Sequence, residues 1–325
     1  MRALRFLPVA VLVVGLGAAG AFGAYRWFLD AVAAPGPLAQ PVTLIIQPGT
    51  GLKALAGQLE TAGVIRDAWM AEIEARRANQ ARALKPGEYR FDAGISVQAA
   101  LGKIVRREVV AHFITIPEGL VIADILKLVA AAEVLQGEPP GDLRDGDLLP
   151  ETYRYEWGDT RADLIARMKQ AREFALAELW TKRAADLPLK TPAEALVLAS
   201  IIEKETGVAI ERSRVGAVFV NRLRKGMRLQ SDPTVSYGIA PQGLARPLTR
   251  ADLEQPTPFN TYTIDRLPPA PICNPGRASM AAAMNPADVA DLYFVADGSG
   301  GHAFAETLDT HNRNVASWRR LQRDN

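Results

Sequence analysis

The chain has little of what metal, redox or nucleic-acid chemistry requires. It carries one cysteine, Cys273, so an intrachain disulfide is excluded. Its three histidines, His112, His302 and His311, leave little material for a metal site. His302 and His311 flank Glu306, but that spacing fits no common zinc pattern, and neither a metal nor a cofactor is expected. The formal net charge is only +2, so there is no electrostatic footprint for a polyanion such as nucleic acid. Hydrophobic residues make up 48% and are mostly interleaved with charge, which excludes a disordered tail, a collagen-like repeat and a polytopic membrane protein. With 325 residues there is room for two folded units, and carboxylates and hydroxyls remain as the carriers of any chemistry.

One long uncharged run is present, from Phe6 to Tyr25. At about 1.5 Å rise per residue it spans roughly the 30 Å hydrocarbon core of a bilayer. Arg2 and Arg5 precede it, and Tyr25 and Trp27 suit the interface, so the expectation is a single-pass membrane anchor. Its N-terminus is expected in the cytoplasm and the bulk of the chain outside it. The alternative is a cleaved signal peptide ending at Ala31-Val32-Ala33, against which stand the length of the apolar run and the intervening Arg26 and Asp30.

The expected organisation is a stub and anchor over 1–30, a linker over 31–41, a small α/β subdomain over 42–116 and a larger, mostly helical domain over 117–325. Val42–Ile46 reads as a strand stopped by Pro48-Gly49, and Leu52–Ala62 as a helix with Gly63 in the stop position. Asp67 is placed to cap a second helix running to Arg77. Glu88–Phe91 reads as a strand, Ser96 opens a helix through Ile104, and Val109–Ile116 alternates like a strand. Pro117-Glu118-Gly119 is the boundary. Beyond it helices dominate, with a late strand pair near Leu292–Ala296 and His302–Phe304.

The chemistry points to one helix. Thr191-Pro192-Ala193-Glu194 combines a capping threonine, a proline at the first helical position and a capping-box glutamate, and Gly207 ends the segment. From Ala195 to Ile202 apolar residues fall on every side, which predicts a buried helix. Glu203 shares its face with Leu196, Ala199 and Ser200, while Glu205 points about 200° away beside Leu198 and Ile201. Burial and the helix C-terminus both disfavour a carboxylate there, which suits a general acid working near neutral pH. The alternative is a pair of structural salt bridges to Lys204, Arg212, Arg214 or Arg222.

The segment Leu198-Ala199-Ser200-Ile201-Ile202-Glu203-Lys204-Glu205-Thr206 resembles the signature of the endolytic murein transglycosylases of the MltG/YceG-like family. In the same order follow Val218–Leu223, Met227–Val235, Asn260-Thr261-Tyr262, Leu267-Pro268-Pro269, Pro271-Ile272-Cys273-Asn274-Pro275-Gly276, Leu292–Ala296 and Gly301-His302. The resemblance implies an α+β fold with a transmembrane helix, a LysM-like subdomain over 42–116 and a mostly helical catalytic domain with a short sheet. It implies a lyase that cleaves the β-1,4 bond between N-acetylmuramic acid and N-acetylglucosamine within peptidoglycan strands. The product end is 1,6-anhydromuramic acid, and the expected role is to terminate nascent strands. The catalytic glutamate falls on Glu203, and penicillin-binding synthases become candidate partners. Ala270 departs from the family, where many relatives carry glycine.

A lytic mechanism needs one carboxyl group. Glu203 protonates the departing oxygen and then accepts the proton of the muramyl C6 hydroxyl, a nucleophile the substrate itself supplies. Gln230, Asp232, Thr234 and Tyr237 sit on a loop and short turn as candidate sugar contacts; Asp232 either caps a one-turn helix at Pro233 or orients sugar. Asn260 and Tyr262 either bind N-acetyl groups and stack on sugar or pack their loop. Ser200 either holds Glu203 or back-bonds into its own helix, and Glu205 remains a secondary candidate. Two rivals stand beside the lytic reading: a membrane-anchored glycan-binding scaffold for cell-wall synthases, and a hydrolytic muramidase.

Overall fold

The computed structural model describes residues 7–324; Arg2, Arg5 and Phe6, on which the expected orientation partly rests, lie outside the described residues. The chain forms two compact units. One comprises the residues up to His112 with Glu156–Gly158, and the other Phe113–Tyr155 with the chain from Asp159 onward.

The first unit contains α1 (Leu7–Ala33), β1 (Val42–Ile46), α2 (Leu52–Thr61), α3 (Ala68–Arg77), β2 (Gly87–Phe91) and α4 (Val97–Val105). β1 and β2 pair antiparallel, with Val42 opposite Phe91 and Ile46 opposite Gly87. Leu55, Leu59, Ile65, Tyr89, Phe91, Leu101 and Ile104 close the core between this ribbon and the helices. Within α1, Val11–Ala33 is long and apolar enough to cross a membrane. Its final turns nevertheless belong to the folded unit, since Phe28 and Val32 are buried in the core and the Phe28 ring lies 6.2 Å from Trp69.

The segment read as a linker is therefore tied down. Gly36 donates its N–H to the Gly94 and Ile95 carbonyls at 3.2 Å, and Gly94 donates to Leu38 O at 2.8 Å. A Cβ at Gly36 would overlap Ile95 O and come within 2.8 Å of Val64 O, so only glycine fits this crossing. Two local expectations change. Ser96 caps α4 by accepting from Ala99 N at 3.1 Å, but Asp67 makes no side-chain cap, and Ala68 N donates to Glu60 Oε1 at 2.9 Å instead. The strand expected over Val109–Ile116 shrinks to four residues.

That strand, β3 (His112–Thr115), begins at the last residue of the first unit's main segment and leads into the second unit. It continues through α5 (Ile122–Ala131), β4 (Thr152–Tyr155), α6 (Arg161–Thr181), α7 (Pro192–Glu205), α8 (Arg212–Arg224), α9 (Asp232–Ile239), α10 (Arg250–Glu254), α11 (Arg277–Met284), β5 (Tyr293–Ala296), β6 (His302–Ala305) and α12 (Leu308–Asp324). β3 pairs with β4, and β5 with β6 in antiparallel register, Tyr293 opposite Ala305.

Helix α7 is the axle of this unit. Thr191 Oγ1 accepts from Glu194 N at 3.2 Å and Pro192 occupies the first turn. The capping box is modified, because Glu194 Oε2 reaches Lys190 N at 2.6 Å and not the Thr191 amide. Ala195 through Ile202 are all buried, packed among Leu176, Val215, Phe219, Met280 and Ala283. Each fully buried leucine or isoleucine side chain contributes about 1.5–3 kcal/mol, enough to hold α7 rigid despite the polar residues at its end.

Candidate active site

The last turn of α7 projects two glutamates into different surroundings. The Glu203 side chain is 6% exposed; its Oε2 accepts the Gly276 N–H at 2.9 Å and its Oε1 stands 3.8 Å from Arg212 Nη2. The same Arg212 Nη2 lies 3.8 Å from Glu118 Oε2. One guanidinium thus sits between two carboxyl groups at a distance too long for a hydrogen bond to either. Glu118 also packs on Gly276, where a Cβ would come within 2.7 Å of Glu118 Cγ. Burial, and then the charge of Glu203, push the Glu118 carboxyl above its ordinary value, with Arg212 opposing.

Ser200 sets this geometry indirectly. Its Oγ donates to Val197 O at 2.7 Å, back-bonding into its own helix, and accepts from Ile272 N at 3.0 Å. It therefore anchors the loop that carries the Gly276 amide, and does not touch Glu203 itself. The Cys273 thiol donates to Ser200 O at 3.4 Å, and burial pushes its pKa well up. Asn274 accepts from the Gly146 and Leu148 amides at 3.1 and 3.0 Å and donates to Leu120 O at 2.9 Å. Gly119 N donates to Asn274 O at 3.0 Å. Gly119 holds φ +77°, a left-handed turn that favours glycine and brings Glu118 back towards α7.

Glu205 faces the other flank. It accepts a short hydrogen bond from Ser231 Oγ. Burial pushes its carboxyl up to about 7, with Asp232 adding to the rise and Ser231, His302 and Arg222 opposing it. The raised carboxyl expected of a buried helix end is thus found at Glu205. Around it the loop is locked from within. Thr234 Oγ1 donates to Ser231 O at 2.6 Å and contacts Thr261 Oγ1 at 2.8 Å. Asn260 is fully buried, donating to Leu253 O and Gln255 O at 3.0 and 2.7 Å and accepting from Tyr262 N at 2.9 Å. Thr234 and Asn260 hold the loop and offer no free polar atom to a sugar.

Asp232 is not a cap. It is the first residue of α9, Ser231 occupies the N-cap position without a side-chain bond, and Asp232 Oδ1 accepts from Tyr262 Oη at 2.7 Å. Asp232 and Tyr237 line an open cleft of about 410 Å³, together with Gly119, Lys204, Ser236 and Gln242. A second cleft of about 340 Å³, lined by Asp145, Arg144 and Ala270, shares Val121, Tyr237, Pro241 and Gln242 with the first. The two form one groove passing over Tyr237. The Tyr237 Oη donates to Asp145 Oδ2 at 2.6 Å, and its ring meets Phe259 edge-on at 4.9 Å, so the aromatic face is held rigidly. Glu203 lies behind the Gly119 and Lys204 wall; a Cβ on Gly119 would touch Glu203 Cγ at 3.5 Å. Gln230 is exposed with φ +49°, its amide bonded to Thr261 O at 3.1 Å.

The histidines are used otherwise. His302 Nδ1 lies 2.7 Å from Glu211 Oε2, and His311 stacks on Tyr293 at 5.1 Å. Glu118, Asp145 and Gly276 were missed by sequence reasoning, and Arg212 was anticipated only as one of several possible partners for the glutamates. The available sign for Glu118 was a charged side chain locked between proline and glycine, read only as a domain boundary.

These features define an α+β protein with an apolar N-terminal helix and a carboxylate-centred groove built around one buried helix. The chain belongs to the YceG-like family, which matches residues 44–317. A Bacillus subtilis protein named endolytic murein transglycosylase is 36% identical over 169 residues, 52% of this chain and 46% of that protein. A Streptococcus pneumoniae protein of the same name is 26% identical over 354 aligned positions, 94% of this chain and 63% of that protein. The chain therefore spans between about half and two thirds of the length of these relatives. A crystal structure of a YceG-like protein from Listeria monocytogenes aligns with a TM-score of 0.50 at 30% identity, covering 85% of this chain and 99% of that one.

Proposed function

We propose that the chain is a membrane-anchored endolytic murein transglycosylase with Glu203 as its acid and base. One observation carries this reading: Glu203 is a nearly buried carboxyl, fixed through Oε2 by the Gly276 amide and set against the wall of an open groove. Glu203 delivers its proton to the glycosidic oxygen as the bond to muramyl C1 breaks. The resulting carboxylate takes the C6 hydroxyl proton as O6 bonds to C1, which restores the enzyme and consumes no water. The Tyr237 face suits stacking on a sugar ring, and Asp232, steadied by Tyr262, faces the developing positive charge at C1. Gln230 is a peripheral contact. The names of the two bacterial relatives support peptidoglycan as the substrate.

The domain reading that accompanies this function places the anchor in 1–30, a LysM-like subdomain in 42–116 and the catalytic domain in 117–325. The strand–helix–helix–strand order from β1 to β2 supports the LysM-like reading, and the apolar length of α1 supports the anchor; the reading puts the N-terminus in the cytoplasm and the chain beyond the anchor outside a bacterial inner membrane. Penicillin-binding synthases are the partners this placement favours.

The test is mass spectrometry of purified glycan strands digested by the full chain in detergent, beside Glu203→Gln. Internal fragments ending in 1,6-anhydromuramic acid are expected with wild type, and the folded variant should lose at least about 10²-fold in rate. Reducing ends, heavier by one water, would establish a hydrolase. Full activity in Glu203→Gln would overturn the assignment.

A further inference from the structure

We propose that Glu118 is a positioning residue for Glu203: by engaging one side of Arg212, it keeps that guanidinium from becoming the partner of Glu203 alone. The inference rests on the proposed role of Glu203 and deepens it. Arg212 Nη2 stands 3.8 Å from each carboxyl, equidistant and in hydrogen-bond contact with neither. Its Nε is buried with no hydrogen-bond partner among the described residues, so the guanidinium is under-satisfied where it stands. Glu118 is held in this place by the Gly119 turn, which Asn274 fastens, and by the bare Cα of Gly276.

The chemistry explains why sharing matters. A general acid must hold its proton at the working pH, and a cation bonded to it favours the carboxylate. Arg212 still offers charge to the Glu203 carboxylate formed after proton donation. Glu118 supplies the opposing negative charge, and the two carboxyls divide the cation. Besides Arg212 and Glu118, the charged or titratable groups near Glu203 include, among the described residues, Lys204, whose Nζ donates to Gly119 O at 3.4 Å, and the buried thiol of Cys273. Glu205 lies on the opposite flank of the helix.

Glu118→Gln removes the competing charge while keeping the shape. Arg212 then turns wholly to Glu203, and the alkaline limb of the pH profile for strand cleavage should move down by about one pH unit, about a tenfold loss on that limb. The low-pH plateau of kcat should stay near wild type, and Glu118→Asp should restore much of the profile. A merely structural role would lower activity evenly across pH without moving the limb. Gly276→Ala, whose Cβ displaces the flexible Glu118 side chain, should shift the limb the same way. The independent readout is carbon NMR of the Glu203 carboxyl in the full chain in detergent, assigned by its loss in Glu203→Gln. Its titration midpoint should fall in Glu118→Gln. An unmoved limb together with an unmoved titration in a folded variant would overturn the proposal. If wild type cleaves nothing, the proposed function fails, and the titration alone still decides whether Glu118 and Glu203 share Arg212.

Discussion

Replacing Glu205 by glutamine should make the protein more stable at pH 8 and leave it nearly unchanged at pH 4. Glu205 accepts from Ser231 in a buried setting, and its carboxyl is pushed from its ordinary 4.5 up to about 7. The folded state therefore binds this proton more tightly than the unfolded state. Below the unfolded value both states are protonated and the group is neutral in its effect. As pH rises from 4.5 to about 7 the unfolded chain ionises first, and stability falls; above about 7 the loss is complete. At about 1.36 kcal/mol per pH unit the full loss is about 3 kcal/mol. Glutamine keeps an acceptor for Ser231 and cannot ionise, so it escapes the loss. The assay is urea denaturation of the full chain in detergent across this range, reading the difference between wild type and Glu205→Gln so that other carboxyls cancel. Parallel stability curves, with no divergence above pH 5, would refute the reasoning.

Three further outcomes follow from packing. Ser200→Ala leaves the Ile272 amide without its acceptor in the core and should cost about 1–3 kcal/mol; it should also slow cleavage, because the loop carrying Gly276 loses an anchor. Unchanged stability by denaturant midpoint would count against that anchor. Gly36→Ala drives a Cβ into the Ile95 and Val64 carbonyls and should destabilise the first unit by about 1–3 kcal/mol, read by amide exchange at Tyr89 and Phe91. Phe28→Ala removes a buried ring from the same core and should cost about 3 kcal/mol, whereas a helix end that was only a membrane anchor would show no change in that exchange.

Much of the frame was legible because it obeys local rules. The capped start and all-round apolar pattern of α7 gave its burial, and the divergence of Glu203 and Glu205 followed from 100° per residue. Ser96 capped as expected because its oxygen needs only the amide three residues on. What escaped depends on partners distant in sequence. Strand β4 spans only Thr152–Tyr155, too short for its alternation of Tyr153, Arg154 and Tyr155 to stand out; it pairs with the edge that β3 offers, with Thr115 and Thr152 in contact at 2.9 Å. Asp67 and Asp232 have capping residue types at plausible places, but Glu60 takes the amide of Ala68 next to Asp67, and the Asp232 side chain accepts from Tyr262. Thr234 and Asn260 looked like sugar ligands because their side chains are polar, and only the fold reveals that their polar atoms are spent inside.

The two glutamates of α7 show how one buried helix end can serve two demands. A carboxyl proposed for proton transfer needs a fixed orientation beside the groove; the Gly276 amide fixes Glu203, and Gly119, which packs against it, lines the cleft together with Lys204. A rigid platform for that carboxyl needs α7 locked to the loop before α9, and Glu205 provides the lock by reaching Ser231. Desolvation favours the protonated Glu205 and the Ser231 bond favours its carboxylate; desolvation prevails, so the folded state as a whole gains stability as pH falls through about 7. The spacing of two residues makes the division possible. At three or four residues both carboxyls would share one face and repel across the same cation, and at one residue Glu205 would occupy the position of Lys204, on the groove wall. The pattern Glu203-Lys204-Glu205 thus places the proposed acid, a groove-lining cation and a buried carboxyl bonded to Ser231 on three separate faces of one turn.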